Sequence, residues 1–201
     1  MTPRRRGRRH EDLRRATAAA HAALDATLLG AGCFSSIERY RRYLGAVAPL
    51  YAAIETSLDA AGAARLLPDW PRRRKLDLVR AELRAFGFAP DALDRPAVLA
   101  AMRASDPGDI FGALYVLEGA TLGGALLARS MRGLGLLAPG APCLLDPYGA
   151  ERGAMWRAFL ARLEAVKMTY QQELALGARA MATFSLFATV GESLMDREDA
   201  R

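Results

Sequence analysis

IFGALYVLEGATLGGALLA, residues 110–128, reads as a helix with glycine at the positions a helix least favours. At 100° per residue, Gly112, Gly119 and Gly123 fall within about 40° of one another and form one bare stripe. Each interior glycine costs roughly 1 kcal/mol relative to alanine, so the stripe costs about 3 kcal/mol before packing is counted. The offset comes from close approach of something that a Cβ would block. Two candidates stand side by side: the backbone of a neighbouring helix, or a flat, rigid ligand.

Around this stretch almost everything reads as helix. One is expected from about Glu11 to Leu28, and another from a capping box at Ser35 and Glu38 past Ala60, bent at Pro49. Pro71 looks like a first-turn proline, opening a helix that stops at Gly87. A shorter helix is expected after Pro96. The glycine-striped helix itself starts near Asp106–Pro107 and ends at Gly133 or Gly135. A loop rich in proline and glycine follows to Gly149, and two helices close the chain, over about 151–167 and 170–195. Thr169 and Gln172 make a second capping box. No segment alternates as a strand should. The pattern predicts an all-α, single-domain multi-helix bundle over residues 10–201, preceded by a basic disordered arm over 1–9.

The chain has 201 residues and a net charge of +6, but five arginines sit in the arm (Arg4, Arg5, Arg6, Arg8 and Arg9), leaving +1 for the rest. No aromatics interleave with them, so the arm is expected to be a solvated end and no nucleic-acid partner is implied. Cys33 and Cys143 are too few and too far apart for a disulfide framework or zinc site. The first residues carry no apolar leader core, so a cytoplasmic location is expected. Residues 110–128 are long enough to span a bilayer, and Gly119 and Gly123 match a transmembrane packing motif. Glu118 near the middle opposes insertion, and no second comparable stretch is expected, so no membrane partner is implied.

The chain has two histidines. His10 lies at the end of the arm, where no fixed geometry is expected. His21 lies on the first helix, with Arg14 offset by about 20° and Thr17 by about 40°. A histidine at the edge of a buried face is either hydrogen-bonded or a ligand. A metal held by side chains alone needs several converging histidines, cysteines or carboxylates, and no HExxH or CxxC occurs. Haem brings four nitrogens of its own and needs one histidine. One histidine on one helix and a glycine stripe on another would suit a flat macrocycle, with Arg14 placed for a carboxylate. Glu118 reads as a buried acid or as the partner of an arginine, and Tyr115, about 60° off the stripe, as a core tyrosine or a hydroxyl for a ligand.

These two segments, LRRATAAAHAAL (13–24) and YVLEGATLGGALLA (115–128), resemble bacterial haem oxygenases, particularly those found alongside bacteriophytochromes. The resemblance implies the haem oxygenase-like bundle and His21 as the proximal iron ligand. It further implies Gly119, Gly123 and Gly124 on the distal side, Tyr115 at a propionate, and Arg157 as a basic residue serving another. It implies cleavage of haem b, both substrate and cofactor, to biliverdin, carbon monoxide and ferrous iron. Electrons would come from an external donor such as ferredoxin, and the bilin could feed a bacteriophytochrome. Ala120 departs from the animal-type pattern, which has an aspartate there to organise water; Thr121 is the candidate replacement. The competing readings are a haem-binding or haem-transfer protein without turnover, and a metal-free helical enzyme resembling thiamin-degrading ones.

Overall fold

The computed structural model describes residues 8–87, 100–138 and 140–199, with side chains described through 195. Every named element is helical, and no strand occurs among the described residues. The elements are α1 (Arg8–Gly30), α2 (Ile37–Ala60), α3 (Ala63–Leu66), α4 (Trp70–Arg73) and α5 (Leu76–Ala85). After these come α6 (Pro107–Gly133), a 3₁₀ turn (Gly149–Glu151), α7 (Arg152–Ala165) and α8 (Tyr170–Asp199).

α6 is the central rod, and its largest interface is with α8. Gly108 and Gly112 explain how closely these two helices lie. A methyl group at Gly112 would sit 2.5 Å from the Leu176 carbonyl oxygen and 2.7 Å from Arg179 Cβ, and one at Gly108 would strike the Gln172 carbonyl. Ile110, Phe111, Leu114 and Leu117 are buried, and the whole apolar set forms one continuous core. α8 also carries α1, where Gly191 admits the Thr27 methyl at the crossing. Two helices among the described residues are long and apolar enough to cross a membrane, Pro107–Gly133 and Tyr170–Met195. The second was not expected from the sequence; the first is mostly buried inside the bundle.

Local signals placed most helix ends. Asp106 caps α6, accepting from the Asp109 N–H at 3.1 Å, and Pro107 occupies the first turn. The Thr169–Gln172 box closes in both directions ahead of α8. The α2 cap is Ser36, not Ser35: its hydroxyl accepts from Arg39 N–H at 3.2 Å, whereas Ser35 donates to the Gly32 carbonyl. α2 runs through Pro49 without interruption. The single helix expected from Pro71 to Gly87 is two, α4 and α5, broken at Arg74, whose backbone is extended. The break has a cause. Glu55 of α2 accepts from the N–H groups of Lys75 (2.6 Å) and Leu76 (3.1 Å), satisfying orphan donors of a new helix start. The helix expected after Pro96 lies outside the described residues.

The boundary of the basic arm also moves. Arg8 and Arg9 belong to α1, and Arg9 is buried. Its guanidinium donates to the carbonyls of Leu163 and Val166, both at 2.7 Å, and to Glu173 at 2.7 Å. It thus serves the last carbonyls of α7 and bridges to the first turn of α8. Arg9→Ala removes all of these and leaves buried carbonyls unmet, so a loss of about 2–4 kcal/mol is expected in denaturant unfolding. Removing residues 1–7 and keeping Arg9 should leave that midpoint unchanged.

Candidate active site

Between α1 and α6 lies a cavity of about 900 Å³, roofed by α8 and closed at its ends by α7 and the loop after α6. That volume is in the range of small-molecule and cofactor pockets. The α1 wall presents His10, Arg14, Thr17, His21 and Leu24, a single stripe at helical spacing; the α6 wall presents Tyr115, Gly119, Ala120 and Gly123. Leu28, Phe34, Tyr43, Leu127, Phe184 and Phe187 make the interior predominantly apolar.

The glycine stripe divides into two functions along one helix. Gly112 is consumed by packing on α8, as described. Gly123 has no atom within 4 Å of where a Cβ would stand, and Gly119 meets only the tip of Trp156 at 3.9 Å. Both line the cavity with bare backbone. Gly124 does two jobs: it lines the cavity, and its missing side chain lets the Leu145 carbonyl approach, 2.5 Å from where a Cβ would lie.

His21 is open to the cavity, its side chain 58% exposed. Nδ1 lies 3.2 Å from Asp25 Oδ2, one turn on, and the ring meets Phe184 edge-on with centroids 5.7 Å apart. Asp25, at i+4, was legible from spacing and was missed. Arg14 is exposed at the cavity rim beside Arg15. Tyr115 is buried among α1 and α7 side chains. Burial holds its phenol above the ordinary range against a hydrogen bond with Thr17, so it is a neutral donor at pH 7.

His10 is the other residue that sequence reasoning set aside. It sits in α1, between Tyr115 (centroids 6.2 Å apart) and Trp156 (5.7 Å, edge-on), and lines the cavity. Burial, then Arg14, holds its imidazole below the ordinary value, against the pull of Glu164. The signal was available: His10 and His21 are eleven residues apart, an offset of about 20° on a helix. It was lost because the helix was expected to start at about Glu11, whereas α1 begins at Arg8.

Two expected site residues do not face the cavity. Thr121 is buried with its hydroxyl donating to the Glu118 carbonyl at 2.7 Å, a back-bond within its own helix. Arg157 is exposed on α7 and is not in the lining, where Trp156 stands instead. Glu118 is spoken for as well. Only 1% exposed, it accepts from Arg73, from Lys75 Nζ at 2.7 Å and from the Tyr148 hydroxyl at 2.9 Å. Arg73 also donates to the Met155 carbonyl of α7 and to Asp69. This buried network ties α6 to three other elements directly before Gly119. It is held by good geometry because an uncompensated charge there would be costly.

A flat ligand with one free axial position and carboxylates at one edge fits these residues. The observation that tests the fit is the pair Gly119 and Gly123, where any side chain would occupy the space a planar group needs.

The sequence model of the heme oxygenase family matches residues 9–193. A heme oxygenase from Xanthomonas campestris pv. campestris (strain 8004) is 34% identical over 122 residues, covering 60% of this chain and 68% of its own length. Among solved structures, the NO- and CO-bound heme oxygenase from Neisseria meningitidis aligns with a TM-score of 0.78 at 23% identity, over 92% of this chain and 91% of that one. The heme oxygenase from Leptospira interrogans gives 0.71 at 18% identity, over 90% and 97%. The two structures speak to the fold, which is the same all-α bundle. With a match running through nearly the whole sequence, the chain belongs to the heme oxygenase family, enzymes that bind and degrade haem.

Proposed function

We propose that this chain opens haem b at a meso carbon to give biliverdin, carbon monoxide and ferrous iron, with His21 as the proximal ligand and the Gly119–Gly123 backbone as the distal wall. The observation that carries the reading is a shared cavity. The one exposed imidazole of α1 and the two glycines of α6 without packing partners line the same space.

When bound, haem supplies both the redox-active iron and the ring that is oxidised. The chain supplies orientation. Asp25, 3.2 Å from His21 Nδ1, would orient the imidazole and leave Nε2 free to hold the iron. Gly119 and Gly123 let main chain stand over the distal face where side chains would exclude a macrocycle. Arg14 and Arg15 at the rim receive the carboxylates, with the neutral Tyr115 phenol as a further donor. His10 joins that polar end of the cavity, whereas Arg157 does not line it. Ala120 offers no side-chain hydrogen bond, and the Thr121 hydroxyl is turned back onto the Glu118 carbonyl. Reducing equivalents come from an external donor, for which a ferredoxin is the proposed class. A bacteriophytochrome is a proposed destination of the bilin, and the cytoplasm the proposed location.

An absorption spectrum with added haem tests this, before and after a reductant is supplied in air. A histidine-ligated Soret band followed by conversion to bilin absorption is the expected result. A stable oxygen complex that never yields bilin would mark a haem-binding or haem-transfer protein, the alternative that the missing distal aspartate at Ala120 brings in. No haem spectrum at all would overturn the proposal.

A further inference from the structure

The loop after α6 ends in a turn that behaves unlike a surface connection. Cys143, Leu144, Leu145 and Asp146 are all buried, and the Asp146 N–H closes the turn on the Cys143 carbonyl at 2.9 Å. Loops normally run over the surface, because buried backbone must find partners. Here partners are built in. Leu144 N–H donates to Glu82 Oε2 at 2.6 Å, and Tyr40 donates its hydroxyl to Glu82 Oε1 at 2.9 Å. Asp146 accepts from Arg152 at 2.6 Å and from Arg132 at 3.2 Å. The Leu145 carbonyl rests against the bare backbone of Gly124. The two leucines so held line the cavity at its apolar end, away from Arg14 and His10.

We infer that this turn is a specificity-determining wall that fixes the in-plane rotation of the ring, and so which meso carbon is cut, with Glu82 as its positioning residue. The inference rests on the haem reading above. The physical argument concerns what an axial histidine cannot do. One bond along the ring normal leaves rotation about that axis free, so orientation must come from contacts at the periphery. The polar rim attracts the propionate edge. The Leu144–Leu145 wall acts from the opposite side: a carboxylate turned toward it would be desolvated without a partner, while methyl and vinyl groups pack there freely. Glu82 does not line the cavity. It acts through its two hydrogen bonds, to the Leu144 N–H and the Tyr40 hydroxyl, which makes its role separable from haem contact.

Leu145→Ala changes the wall directly, and Glu82→Leu removes the acceptor that holds it. Glu82→Gln retains a carbonyl for Leu144 N–H and an amide for Tyr40. The readout is the haem-methyl proton pattern of the cyanide-ligated ferric complex, which reports ring orientation without turnover, followed by the ratio of biliverdin isomers. Leu145→Ala and Glu82→Leu should each show a second orientation and an isomer ratio shifted by about fivefold or more, with Glu82→Gln close to the unaltered protein. Should Glu82→Leu fail to fold by circular dichroism, Leu145→Ala decides. A histidine-ligated spectrum in the unaltered protein with one unchanged orientation in Leu145→Ala and every folded Glu82 variant overturns this inference and leaves the haem reading standing. No such spectrum in the unaltered protein overturns both.

Discussion

His21→Ala should leave the fold intact and remove the enzyme's capacity to hold iron. The two effects separate because of where the residue sits. Its side chain is more than half exposed, meeting Asp25 and the edge of Phe184, so truncation opens no core cavity. Unfolding should therefore shift by no more than about 0.5 kcal/mol. On the proposed reading, in contrast, the iron loses its histidine ligand. The histidine-ligated spectrum should vanish and bilin formation should fall to background in a single-turnover assay. His10→Ala supplies the internal control, since the chain has only these two histidines and both line the cavity. It should keep the histidine-ligated band and bind haem more weakly. Should the two variants exchange these phenotypes, the iron would belong at the other end of α1. Asp25→Asn should fall between them, retaining the ligand while lowering the electron density that a carboxylate partner lends it.

What was legible in the sequence was mostly local. Asp106 with Pro107, and Thr169 with Gln172, announce helix starts through side chains that reach only three residues, and both do so in the structure. The all-α bundle follows from the same kind of signal. The break between α4 and α5 was not legible, because it is imposed from a distance by Glu55 of α2, twenty residues earlier. Arg9 was read as part of a tail on charge composition alone. Its burial depends on carbonyls at 163 and 166 that no local pattern reveals. Thr121 and Arg157 illustrate a third limit. A resemblance can supply a position in a motif without supplying the direction of a side chain, and here one turns back on its own helix while the other faces solvent.

The glycine stripe shows why spacing alone left two readings open, and substitution should resolve the division. Gly112→Ala puts a methyl 2.5 Å from a carbonyl oxygen of α8 and 3.1 Å from the Ala180 nitrogen. Backbone cannot step aside cheaply, so a loss of about 1–3 kcal/mol is expected despite the better helix propensity of alanine. Gly123→Ala meets nothing within 4 Å. It should gain about 0.8–1 kcal/mol in denaturant unfolding, the ordinary return for replacing an interior helical glycine. What sets Gly123 apart from the equally open Gly45 and Gly177 is that it lines the cavity, where a bound ligand would account for a glycine held against its helix propensity. Gly123→Leu therefore carries the larger test. The side chain fits the cavity and favours helix, so the protein should be at least as stable as before, yet haem titration should show affinity reduced by about a hundredfold or more. Paired stability and haem-binding measurements on these three variants must give opposite signs at Gly112 and Gly123. If Gly123→Leu binds haem as tightly as the unaltered chain, the distal wall lies elsewhere, and the second half of the stripe loses its explanation.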